Sequence, residues 1–281
     1  MKPKVASKKY VYTFGEGVAE GSADSKNYLG GKGANLAEMT NLGIPVPAGF
    51  TITTDVCMYL MNKDVYPKDL KKQVSNGICF VENIMQQSFG NSDQPLLLSI
   101  RSGARESMPG MMETVLNVGL TSKTIDRLIN KTNNSRFVYD AYRRLITMYS
   151  DVVMEKANGI EPEEGKGIRD QLEDIFDRRK KKLCIVNDTD LKAADLNEIC
   201  NLYKNKIYET FGIHFPDDPT EQLWGAIDAV FSSWNGKRAV SYRKIEGIPN
   251  EWGTAVNIQA MVFGNMGNSS ATGVAFTRNP A

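Results

Sequence analysis

The most informative part of the chain reads Ser99-Ile100-Arg101-Ser102-Gly103-Ala104-Arg105-Glu106-Ser107-Met108-Pro109-Gly110-Met111-Met112. The apolar residues 96–98 lead into it, which predicts a strand that ends in a loop with two arginines. Arginine is a planar, permanently charged fork that binds phosphate through two hydrogen bonds at once. Methionine offers a soft apolar surface that suits a flat base. The segment therefore indicates a site for the phosphates of a nucleotide, although two surface arginines beside a methionine-filled core edge would give the same pattern.

A second basic segment lies near the N-terminus and reads Tyr28-Leu29-Gly30-Gly31-Lys32-Gly33-Ala34-Asn35-Leu36-Ala37-Glu38-Met39. The apolar spacing after Gly33 is helical and stops at Gly43, which predicts a glycine-rich loop that opens a helix. Lys32 would lie at the helix start, where backbone N–H groups and the helix dipole favour an anion. The spacing is not that of a P-loop, and Gly-Gly-Lys-Gly alone is often an ordinary turn. Two basic segments in one chain favour the phosphate site.

Together these segments resemble the N-terminal, ATP-binding region of the pyruvate, phosphate dikinase family. Further matching stretches are residues 12–17, 43–54, 231–235, 252–257, 259–267 and 272–280. The resemblance runs nearly end to end and is weakest over residues 121–215. It implies an ATP-grasp-like fold within the α/β (α+β) class.

The resemblance also implies an activity and a set of site residues. Members of the family interconvert ATP, phosphate and pyruvate with AMP, pyrophosphate and phosphoenolpyruvate through a phosphohistidine on a separate domain. Lys32 and Arg101 match the catalytic residues that contact the ATP phosphates. The other expected ATP-binding residues around them are Gly30, Gly31, Gly33, Ser102, Arg105 and Met108. Gln259 and Met261 are candidates for the hinge against adenine, with an ordinary half-buried strand as an equal alternative.

The expected cofactor is Mg-ATP, but the family's metal-binding glutamate would follow the last residue, Ala281. We therefore assign no metal ligand within the sequence and expect a C-terminally incomplete domain that completes no turnover alone. The expected partners are ATP, phosphate and the phosphohistidine domain of the same full-length chain, which we expect to be a homo-oligomer. The only histidine, His214, lacks the Thr-Ser-His setting of the carrier histidine and is interpreted as structural.

Composition excludes several classes of function. A net charge of +1 argues against a broad nucleic-acid-binding surface. Four widely spaced cysteines form no Cys-x-x-Cys pair, which favours a reducing compartment. The basic start lacks the apolar run of a secretory signal, and no stretch approaches the roughly 20 apolar residues of a membrane helix. We predict a cytoplasmic location, with plastid or glycosome as alternatives, and no membrane partner.

Three parts are predicted along the chain. Residues 1–120 form a first α/β part, residues 121–203 an inserted helical subdomain, and residues 204–281 a second, truncated α/β part. Within the last part, residues 238–245 and 254–262 are predicted strands.

The helical elements rest on capping and periodicity. An Asp218-Pro219-Thr220-Glu221 cap predicts a helix start. An apolar stripe at helical spacing is predicted to be core and comprises Phe137, Ala141, Leu145, Met148 and Val152. The basic run at 178–182 is predicted to be a solvated helix face.

Two other functions remain open from the residues. A phosphoenolpyruvate synthase would share the basic loops but use water in place of phosphate, so phosphate dependence of the full protein would separate the two. A nucleotide-binding module without its own chemistry is the third hypothesis.

Overall fold

A computed structural model describes residues 8–90, 93–276 and 278 of the chain. The first seven residues and part of the 272–280 motif lie outside the described residues. The described part contains one antiparallel sheet of six strands in the order β2-β1-β3-β6-β4-β5. Its strands are β1 (Val11–Gly15), β2 (Val18–Ala19), β3 (Gly49–Ile52), β4 (Leu98–Ala104), β5 (Thr114–Val118) and β6 (Thr254–Ala260). The mixed α/β class is therefore confirmed.

The strand β6 occupies the middle of the sheet, between β3 and β4. Its residue Asn257 pairs with Thr51 of β3 on one side and with Arg101 of β4 on the other. Arg101 in turn pairs with Thr114 of β5. These four residues form one row across the sheet, so residues that are far apart in sequence meet where the arginine segment begins.

Helices pack against this sheet and against each other. They are α1 (Lys26–Asn41), α2 (Thr54–Lys63), α3 (Leu70–Met85), α4 (Ser122–Thr132), α5 (Ser135–Tyr149), α6 (Ile168–Lys182), α7 (Ala193–Phe211), α8 (Pro219–Ser232) and α9 (Lys237–Glu246), with a π-helical segment Ser150–Glu155 after α5. Helices α1, α3 and α8 contact the sheet, and α5 connects it to α7. The buried apolar side chains of these elements form one core.

The helix cap predicted before α8 is confirmed, because the Asp218 carboxylate accepts the Glu221 N–H at 2.8 Å. The strand predicted at 254–262 is β6 (Thr254–Ala260). The strand predicted at 238–245 is wrong, since these residues belong to α9 (Lys237–Glu246). Ala239 and Arg243 are the buried residues of α9, and their spacing of four residues is the helical period that the sequence interpretation missed.

The middle of the chain is helical, as predicted, from α4 to α7. Of the predicted core stripe, Phe137, Ala141 and Leu145 of α5 and Val152 of the segment that follows are buried, whereas Met148 is half-buried. In the basic run at 178–182, Arg178, Lys181 and Lys182 are exposed as predicted. Arg179 and Lys180 are half-buried and form ion pairs, for example from Lys180 to Asp188. The division into three parts at residues 120 and 203 remains a prediction.

Two further sequence observations concern the cysteines and the membrane. The four cysteines are free thiols, of which Cys57 and Cys200 are buried. Among the described residues, no helix has both the length and the apolar character needed to cross a membrane.

Candidate functional site

The basic segment at residues 28–39 lies inside helix α1, which bends at Gly30. Gly30 has φ 67° and ψ 172°, so two helical pieces meet there. A Cβ atom at Gly30 would lie 1.7 Å from the carbonyl oxygen of Gly103. Glycine thus allows α1 to touch the backbone of β4. The prediction that the helix starts after a loop is corrected: the helix begins at Lys26, and Lys32 follows the bend.

Lys32 connects this helix to the arginine segment at residues 99–112. Its Nζ donates a hydrogen bond to the carbonyl oxygen of Ser102 at 2.9 Å. Lys32 remains accessible, but partial burial and the nearby charge of Arg101 lower the pKa of its ammonium group. Burial also lowers the pKa of Arg101.

These two cations are uncompensated. No carboxylate among the described residues forms an ion pair with either Lys32 or Arg101. Bringing two like charges together at the edge of a protein interior costs free energy unless a counter-charge arrives. The arrangement is therefore suited to an anion with more than one negative charge.

A cleft of about 650 Å³ opens beside Lys32, between α1 and the loop that follows β4. The predicted site residues that line it are Gly31, Lys32, Ser102, Arg105 and Met108. Gly30, Gly33 and Arg101 do not line the cleft but lie beside it. The two basic segments are thus brought together.

Arg105 presents a buried, unpaired donor at the cleft. Its guanidinium carbon lies 5.2 Å from the centre of the Trp252 ring, and its Nε has no hydrogen-bond partner within the described part of the chain. Planar guanidinium groups stack favourably on an indole. Trp252 was assigned no role from the sequence, since it lies about 150 residues away and only the fold makes them neighbours.

An ion pair ties the arginine loop to α1. Lys26 Nζ and Glu106 Oε1 are 3.0 Å apart, and both side chains are about half exposed. Both residues line the cleft. This pair joins α1 and the loop at the surface and was not predicted from the sequence.

Behind the cleft, Gly33 packs against the polar residues Thr51 and Asn257. A Cβ atom at Gly33 would lie 2.9 Å from Thr51 Oγ1 and 3.0 Å from Asn257 Oδ1. The glycine thus permits close packing of α1 on the sheet. Asn257 was missed as a candidate because polar residues of an alternating strand are expected on a solvated face, whereas β6 is covered on both faces.

The proposed adenine hinge lies elsewhere on β6 and beyond its end. Gln259 Nε2 donates to the Pro47 carbonyl at 3.0 Å, and the Met261 N–H donates to the Leu97 carbonyl at 2.9 Å. Neither Gln259 nor Met261 lines the cleft. The hinge role of these two residues stays a prediction.

The cleft residues do not fit a magnesium ion. Glu106 is the one carboxylate among the cleft residues, and Lys26 already pairs with it. Within the described ranges, no group of three His, Cys, Asp or Glu side chains is arranged to hold a metal. His214 stacks on Tyr208 with ring centres 4.4 Å apart.

Comparison with known proteins gives a consistent assignment. The family model described as pyruvate phosphate dikinase, AMP/ATP-binding domain, matches residues 26–76 and 62–281. The chain is 53% identical over 274 residues to pyruvate, phosphate dikinase of Rhizobium meliloti (strain 1021). The aligned region covers 97% of the chain and 29% of that protein. The chain is 47% identical over 275 residues to the enzyme of the same name from Clostridium symbiosum, over 97% of the chain and 30% of that protein.

A plant relative extends this similarity. The chain is 48% identical over 281 residues to the chloroplastic pyruvate, phosphate dikinase of Flaveria trinervia, over 99% of the chain and 28% of that protein. The chain thus spans less than a third of the length of these relatives. With the family model matching almost the whole chain and the two basic segments meeting in one cleft, the chain belongs to the pyruvate, phosphate dikinase family and corresponds to its ATP-binding domain.

Proposed function

We propose that the chain binds ATP by its phosphates at Lys32 and Arg101, with the rest of the nucleotide along the cleft. The carrying observation is the pair of cations that has no carboxylate partner among the described residues. A polyphosphate carries several negative charges, so one ligand can pair with both cations. Its binding would offset the repulsion between them and the cost of their partial burial.

The remainder of the cleft suits the other parts of a nucleotide. Ser102 and Gly31 supply backbone that a ligand can approach closely, and Arg105 brings a further guanidinium charge to the cleft. Met108 and Met112 line the same space and provide an adaptable apolar surface for a base. Gln259 and Met261 remain the alternative location for the adenine.

Within a longer polypeptide like the relatives, we propose that this domain is the phosphoryl-donor site of a pyruvate, phosphate dikinase. ATP, phosphate and pyruvate would be converted to AMP, pyrophosphate and phosphoenolpyruvate through a phosphohistidine on another domain. The role of Lys32 and Arg101 is to hold the phosphates and neutralise charge as it develops on them, which is the main protein contribution to phosphoryl transfer. Magnesium ligands would have to come from outside the described cleft, so the structure assigns no step to the metal.

The partners and location follow from the same proposal. Phosphate, the phosphohistidine domain and assembly into a homo-oligomer belong to the full-length protein. A cytoplasmic location is proposed, with a plastid as an alternative that the names of the plant relatives support. By itself the chain would bind ATP without turnover.

The proposal is tested by calorimetric titration of the chain with Mg-ATP. Wild type, Lys32→Ala and Arg101→Ala are compared with Arg178→Ala, whose exposed side chain donates a hydrogen bond to the Asp174 carbonyl of its own helix. We expect saturable binding that both site substitutions weaken and the control leaves unchanged. A folded wild-type chain that binds no ATP, or equal binding by all four proteins, would contradict the proposal.

A further inference from the structure

Asn257 lies between α1 and β4. It is 1% exposed and pairs in register with Arg101 of β4. The two glycines that face it belong to the two basic segments: Gly33 follows Lys32 directly, and Gly103 follows Arg101 by two residues.

The two ends of the Asn257 amide contact different segments. A Cβ atom at Gly33 would lie 3.0 Å from Asn257 Oδ1, while a Cβ atom at Gly103 would lie 2.5 Å from Asn257 Nδ2. The amide therefore fills the space that these glycines leave open. The side chain thus lies between the helix with the lysine and the strand with the arginine.

The orientation of this amide is fixed from one side only. Thr51 Oγ1 donates to Asn257 Oδ1 at 2.9 Å, and both groups are buried. The Nδ2 group is buried and has no hydrogen-bond partner among the described residues. A buried, unpaired donor lowers stability, so an amide at this position has a cost that an apolar residue of similar size would avoid.

We propose that Asn257 is a positioning residue that holds Lys32 and Arg101 at the separation required to grip one polyphosphate. It acts through Gly33 and Gly103 and touches no ligand. Thr51 contributes by holding the amide oxygen toward α1. The inference deepens the proposed function and rests on it for the identity of the ligand.

A first test needs no ligand. The pKa of Lys32 is measured by NMR titration of carbon-13-labelled lysine, with its signal assigned by loss in Lys32→Ala. Asn257→Ala removes the spacer, so α1 and β4 can approach each other and bring the two cations closer together. We therefore expect the pKa of Lys32 to fall further below its ordinary value. An unchanged Lys32 pKa in a folded Asn257→Ala variant would overturn the inference.

Gln222 provides a matched control because it is another fully buried amide, placed away from the cleft. It binds the Gly119 N–H and the carbonyls of Leu120 and Pro216, each at 2.9 Å. Gln222→Ala is expected to lower the melting temperature without moving the pKa of Lys32. The same shift of the Lys32 pKa in both variants would mean that Asn257 has only a structural role, which also overturns the inference.

A second test covers the case in which Asn257→Ala fails to fold. Thr51→Val removes the donor that orients the amide, and Thr51→Ser restores it. Thr51→Val is expected to weaken Mg-ATP binding roughly tenfold, with recovery in Thr51→Ser, because small displacements of binding groups carry large costs. Equal affinity in all three proteins would contradict the positioning role.

The two tests separate this inference from the proposed function. If Lys32→Ala does not weaken ATP binding while Asn257→Ala still shifts the Lys32 pKa, the proposed ligand is wrong and the positioning role stands. If ATP binding requires Lys32 but neither Asn257 nor Thr51 affects it, the positioning role is wrong and the proposed function stands.

Discussion

Lys32 Nζ donates to the carbonyl oxygen of Ser102 at 2.9 Å, so the lysine of α1 is held beside the strand residue that follows Arg101. The bond holds the ammonium group against the backbone of β4. Because the acceptor is a neutral carbonyl, the bond does not neutralise the lysine, and its positive charge can still attract an anion.

Loss of the Lys32 charge should affect binding more than folding. In Lys32→Met we expect ATP binding to weaken by about 1.5–3 kcal/mol, the range for a hydrogen bond to a charged group. The free energy of unfolding should change little, because the substitution loses the hydrogen bond to Ser102 but also removes the repulsion from Arg101. Calorimetry and urea denaturation measure the two quantities, and a large loss of stability with unchanged affinity would indicate a structural lysine.

The lowered pKa of Lys32 predicts a pH dependence with a defined sign. Between this lowered pKa and the ordinary value of 10.5, the unfolded chain binds more protons than the folded chain at this residue. The contribution of Lys32 to the free energy of unfolding therefore rises with pH across that window, and its penalty is fully present below it. ATP affinity should fall over the same window because a neutral amine no longer attracts phosphate.

The difference between wild type and Lys32→Met isolates this contribution from those of other titrating groups. It is obtained from urea denaturation at a series of pH values up to 10.5. A difference that stays constant with pH, or falls, would show that the surroundings of Lys32 do not lower its pKa.

Gly30→Ala should destabilise the fold strongly. Its new Cβ would meet the Gly103 carbonyl at 1.7 Å, and its φ of 67° is unfavourable for alanine. Steric overlap and backbone strain together predict a loss of at least about 2 kcal/mol. Gly267→Ala is the control, since a Cβ there would have no neighbour within 4 Å and we expect a change within about 0.5 kcal/mol.

Arg105 should matter for affinity through its planar group as well as its charge. Arg105→Ala is expected to weaken ATP binding about tenfold, the effect of losing one charged hydrogen bond. Arg105→Lys keeps the charge but loses the stacking on Trp252, so it should restore only part of the affinity. Full recovery in Arg105→Lys would show that charge alone is needed, and titration calorimetry distinguishes the two results.

The sequence predicted those parts of the site that depend on local pattern. The two basic segments were found because glycine, lysine and arginine stand together in short stretches, and the cap at Asp218 follows a local rule. The bend at Gly30 was not predicted, since it is imposed by the approach of Gly103 from another element.

Other features required the fold. Asn257 looks like an exposed strand residue until β6 is placed in the middle of the sheet, and Trp252 acquires its contact with Arg105 in the same way. The segment 238–245, predicted to be a strand, has a short apolar pattern that fits both the strand period and the helix period. The burial of Ala239 and Arg243 shows that it is a helix, α9.

The central position of β6 also governs the order in which the sheet can assemble during synthesis. Ser99 of β4 hydrogen-bonds to Gln259 of β6, which is 160 residues later in the chain. Until the ribosome has delivered β6, the facing edges of β3 and β4 have no partner from this sheet, and unpaired edges invite pairing with other chains. The nascent protein therefore passes through a long, aggregation-sensitive interval, during which a chaperone that shields strand edges should raise the yield of folded protein.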